Sequence, residues 1–228
     1  GRAGRAALVD NGSPPGGSSR VNVSWGYLLG ALVLLYIPTQ RLLPKGAVFR
    51  VLEQTPPRGR GRFPWWWTAS IWLEPVVGFA GAWVLHNLTF ELTPIPEPRL
   101  PGTPPPSGLL AALPALLCYG LLYGAVISRM PVWKDRRACI APLGFLFGAV
   151  FGLTPMWVAV ITVVLAACGM GGFRHFGATF LIAAPAVAAA GLLFKQPKIE
   201  VGLAAVLVLL PFLFSAATYR VITIPSRR

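Results

Sequence analysis

Charge is what this sequence has least of. Only 12% of its 228 residues are Asp, Glu, Lys or Arg, roughly half the share of an average soluble domain. Such a chain cannot cover a globular surface with polar groups. A soluble enzyme, an intrinsically disordered chain and a coiled coil are therefore poor readings of it. Acids are the scarcest group, seven against twenty bases, for a formal charge of +13. The three cysteines, Cys118, Cys139 and Cys168, are odd in number and form no CxxC pair, so neither a disulfide framework nor a zinc site is expected. The 25 glycines show no three-residue period, which excludes a collagen.

Chemical motifs are equally sparse. There is no GxSxG, no HExxH and no paired acids within reach of a histidine, so no catalytic residue, metal ligand or cofactor is assigned. The glycine-rich turn at 169–172 lacks phosphate-loop spacing. The two histidines, His86 and His175, are too few for a two-haem centre, and they are expected near opposite membrane faces. No zinc-finger or RNP-like signature accompanies the basic excess, which argues against nucleic acid.

What the chain has instead is apolar length: 55% of its residues are hydrophobic and mean hydropathy is +0.64. Seven apolar stretches cover 25–38, 66–88, 108–128, 138–153, 155–171, 175–194 and 199–219. A crossing helix needs ~20 apolar residues. The second, third, sixth and seventh stretches meet this outright. The first is short, and the fourth and fifth are separated only by Leu153-Thr154-Pro155, as a tight hairpin or a kinked, partly re-entrant helix. The runs are continuous rather than alternating, which favours helices over a barrel. The expected fold is all-α, a polytopic helical bundle with six or seven transmembrane helices. Residues 1–23 read as a flexible polar arm, 24–220 as the membrane domain and 221–228 as a basic tail. Starting on Gly1 is compatible with removal of an upstream segment.

The bases sit beside the apolar runs, as in the positive-inside pattern. Arg41, Lys45, Arg50, Arg58, Arg60 and Arg62 fall in a loop at 40–64, and Arg129, Lys134, Arg136 and Arg137 follow the third stretch. On a seven-span count these loops and the tail share the cytoplasmic, stromal or matrix side, and the N-terminal arm lies opposite. Trp65, Trp66 and Trp67 mark an interface belt. With Arg58, Arg60, Arg62, Arg136, Arg137 and Arg174 they are expected to anchor the protein against anionic headgroups. The loop at 89–107 holds seven prolines and reads as an extended linker. Asn11, Asn22 and Asn87 each head a glycosylation acceptor triplet, a match that chance often supplies.

Within the spans the single candidate for chemistry is Glu74, about 12 Å along a helix from Trp66 at ~1.5 Å per residue. An acid so deep has to face other helices, a partner or water. Pro75 follows it and frees a backbone carbonyl one turn earlier. Packing signals are stronger: Gly144, Gly148 and Gly152 repeat at four-residue spacing, as do Gly120 and Gly124, and small residues at that interval let helix backbones approach closely. The expected function is a non-catalytic structural or accessory subunit of a larger membrane complex, in a bacterial or organellar inner membrane, with lipid and other subunits as partners. The alternative is a small transporter or channel using Glu74.

Overall fold

A computed structural model describes residues 21–37, 48–50, 69–92, 108–131, 138–173 and 175–226. Among these the chain is mostly helical: α1 (Trp25–Tyr36), α2 (Ala69–Asn87), α3 (Gly108–Arg129), α4 (Leu143–Leu153), α5 (Met156–Phe173), α6 (Phe176–Leu193) and α7 (Lys198–Thr218). Four of them, α3, α5, α6 and α7, are long and apolar enough to cross a membrane, so by helix length and composition the chain is a multi-pass membrane protein. The 19-residue α2 carries Glu74, Pro75, His86 and Asn87, which dilute its apolar run. The apolar helices α1 and α4 have 12 and 11 residues, ~18 and ~17 Å long against a ~30 Å core.

The all-α expectation needs a correction. The strands β1 (Val21–Val23), β2 (Val48–Arg50), β3 (Phe90–Leu92), β4 (Ala138–Ile140) and β5 (Val221–Ser226) join the segments that flank the helices. β1 pairs antiparallel with β3 at one end of the bundle. At the other end β5 lies between β2, antiparallel, and β4, parallel. Residues 21–23 are thus strand rather than arm, and 221–226 are strand rather than tail. The fourth apolar stretch is also shorter as a helix than expected. Its first residues form β4, and Pro142, which has no N–H to donate, sits at the helix entrance. α4 stops at Thr154, extended at φ −119°, ψ 155°, because Pro155 disfavours the helical region for the residue before it.

Glycine contacts fix the packing. A Cβ at Gly148 would meet the Pro75 carbonyl, one at Gly78 the Phe145 carbonyl, and one at Gly152 would lie 2.7 Å from the Phe79 carbonyl oxygen. α2 and α4 therefore run parallel with their backbones in close apposition. α5, α6 and α7 follow as antiparallel neighbours, with Gly169 against Ile182 and Gly191 against Val201. α3 runs beside α7, the Tyr123 hydroxyl donating to Leu203 O at 2.8 Å. α4 lies inside, with seven of its eleven residues buried, and the core joins Phe145, Leu146 and Val150 to Leu122, Phe180 and Leu207.

Candidate functional site

The site forms where two short helices end. α1 stops at Tyr36, and the last carbonyls of a helix have no partner within it. Arg129, the final residue of α3, supplies donors: Nη1 donates to Leu35 O and, at 3.1 Å, to Ala125 O, and Nη2 donates to Ile37 O at 3.5 Å. The residue is 4% exposed. Its guanidinium carbon lies 4.0 Å above the ring centroid of Phe145, in the first turn of α4. A desolvated cation over such a ring gains ~2 kcal/mol.

Glu74, half-buried in the second turn of α2, completes the arrangement. Its Cβ falls 3.2 Å from where a Cβ on Gly144 would stand, which puts it against the start of α4. Its carboxylate interacts electrostatically with Arg129, as does Tyr36. The Tyr36 hydroxyl donates to Leu121 O at 3.2 Å. Charges and dipoles therefore alternate: the negative end of α1, the guanidinium, the carboxylate, the positive end of α4. Burying a guanidinium costs desolvation energy even at the end of a helix, and the Leu35, Ala125 and Ile37 carbonyls, the Phe145 ring and the Glu74 carboxylate each offset part of that cost.

The expectation that Arg129 is a loop base is thus overturned: it is buried and belongs to the bundle interior. The sequence did not single it out, since a base that abuts an apolar run reads as the first residue of the following loop. Phe145 and Tyr36 were not foreseen; nothing in their spacing distinguishes them from core residues.

Of the predicted packing glycines, Gly144, Gly148 and Gly152 line the α2 contact and Gly124 faces the Tyr36 hydroxyl, whereas Gly120 has no described atom within 4 Å. Gly120 is exposed on the described surface of α3. Arg58, Arg60, Arg62, Trp65, Trp66, Trp67, Arg136, Arg137 and Arg174 lie outside the described residues.

The remaining polar groups are scattered. Glu200, in the first turn of α7, interacts with Cys118 and Tyr119 on α3. His86 ends α2, while His175 caps α6 at the opposite end, its Nδ1 accepting from Gly177 N at 3.0 Å. Cys118 and Cys139 are buried, and Cys168 is exposed on α5. Burial in the sheet pushes the Cys139 thiol above its ordinary value of 9.0, against a smaller opposing pull from Arg220 and Ser215. No group of three His, Cys, Asp or Glu side chains suited to a metal occurs among the described residues. No family model, characterised protein or solved structure matches the chain.

Proposed function

We propose that the chain is a non-catalytic, multi-pass subunit of a larger membrane assembly, crossing the bilayer seven times. One observation carries the reading. Glu74 stands against the start of α4 and its charge favours that of Arg129, which itself closes the end of α1; this supports the reading that the ionisable groups at this end of the bundle hold helices together. The seven-span count is supported by the direction of the helices, which alternates between the end with β1 and β3 and the end with β2, β4 and β5. The basic loops then face the cytoplasm, stroma or matrix of a bacterial or organellar inner membrane, where anionic lipids meet the arginines.

Extraction in mild detergent tests this. The chain should co-purify with other membrane proteins in a fixed ratio, and Glu74→Gln should leave that ratio unchanged. Ion flux through liposomes holding the purified chain alone would sink the proposal.

A second reading, a small transporter with Glu74 as the coupling acid, has one observation in its favour. One short helix ends and another begins beside an ionisable pair, as discontinuous helices do at transport sites. Glu74→Gln would then abolish flux in a folded protein.

A further inference from the structure

Few residues attach α1 to the rest of the bundle. Only Ala31 and Leu35 among its residues are buried. Trp25, Tyr27, Leu29 and Val33 face outward, and neither Gly26 nor Gly30 has a described atom within 4 Å. Its apolar seam is thus a narrow line, with Leu35 resting on Gly81. Between helices in lipid there is little hydrophobic drive to widen that seam, because lipid tails are as apolar as leucine. Polar ties therefore decide whether α1 stays docked, and they lie at its two ends. At the start, Ser24 N donates to Thr89 O at 3.1 Å beside the β1–β3 ladder. At the finish, Arg129 reaches Leu35 O and Ile37 O, and Tyr36 reaches Leu121 O.

We propose that α1 is a strap, hinged at the β1–β3 ladder and latched at its C-terminal end by Arg129, with Glu74 holding the latch shut. The physical sequence is short. Glu74 packs at Gly144, next to the Phe145 ring that carries the guanidinium. Remove the carboxylate's charge and solvation draws the guanidinium toward the membrane surface, as long cationic side chains do near helix ends. The α1 carbonyls then lose their donors, and that end of α1 separates from Gly81. The inference is independent of the subunit reading, since a transporter could use the same strap.

The test is a crosslink in the full chain, reconstituted in lipid nanodiscs with Cys118, Cys139 and Cys168 replaced by alanine. A Cβ at position 81 would lie 3.7 Å from the Leu34 Cβ, within disulfide range, so Leu34→Cys with Gly81→Cys reports docking of α1. The whole Leu35 side chain has to move to admit it, since its Cδ2 and Cγ would lie 2.7 and 2.9 Å from that Cβ, so every rate is compared with that of the same cysteine pair carrying native Glu74 and Arg129. A Cβ at position 169 would lie 3.5 Å from the Ile182 Cβ, so Gly169→Cys with Ile182→Cys reports the rest of the bundle. Arg129→Gln should slow formation of the α1 disulfide by ~tenfold or more, the range expected when charged hydrogen bonds are lost, and leave the α5–α6 disulfide unchanged. Glu74→Gln should slow it less, and Arg129→Lys should restore part of the rate. Exchanging the charges, Glu74→Arg with Arg129→Glu, should leave it slow, because a carboxylate cannot donate to carbonyls. An unchanged α1 rate in Arg129→Gln overturns the proposal. So does an equal fall at both disulfides, which would make Arg129 a support of the whole bundle, and so does full recovery in the charge exchange.

Discussion

Arg129 concentrates three interactions on one side chain: hydrogen bonds to the end of α1, a ring contact with Phe145, and the charge of Glu74. Arg129→Met should therefore lower stability by ~3–5 kcal/mol, the usual cost of removing one partner from a buried pair. Glu74→Gln should cost less, ~1–3 kcal/mol, because an amide keeps hydrogen-bonding capacity at the site. Unfolding of both variants in detergent measures the order; the reverse ranking would make the carboxylate the main support. The glycines give a second contrast. Gly148→Ala forces a methyl into the Pro75 carbonyl and should cost ~1–3 kcal/mol. Gly120→Ala meets open space and should gain ~0.5–1 kcal/mol from helix propensity. Glu74 was legible in the sequence because a lone acid in an apolar run has few explanations. Arg129 was not, since a base at the end of such a run reads as a loop residue until α1 and α4 are seen to end beside it.

Among the elements, six of the seven described helices follow their apolar stretches to within a few residues, because long continuous apolar runs leave little choice, whereas the fourth stretch ran on through Pro142, where α4 in fact begins. The Gly144–Gly148–Gly152 spacing announced a close contact but not its partner: that depends on α2 presenting Gly78 at the same height. The strands were hidden. Four of the five have three residues, too few for alternation to register. Removing residues 220–228 should unpair β2 and β4 together and expose Cys139, whose Sγ donates to Val221 O at 3.6 Å. Maleimide should then label Cys139, which in the intact protein should stay unlabelled. Because burial raises the Cys139 pKa, the neutral thiol is the form the fold favours. Its contribution to stability is complete below 9.0, the ordinary thiol value, and is lost as pH climbs through the raised one. Unfolding midpoints compared with Cys139→Ala across that range check the sign.

For the molecule as a whole, two small sheets close opposite ends of one helical bundle. Single cysteines at Ser24 and Tyr219, both exposed, should be modified by membrane-impermeant reagents from opposite sides of oriented vesicles. Modification from one side alone would rule out an odd number of crossings. The lopsided bases announced a sided protein, yet the sheets that mark its two ends arise from pairings between residues remote in sequence. Those pairings also set a timetable. β2 is synthesised early, but its partner β5 follows α7, so β2 waits through the making of six helices before it can be matched. Until α7 has been inserted the waiting strand is an open edge that chaperones, or another nascent chain, can occupy.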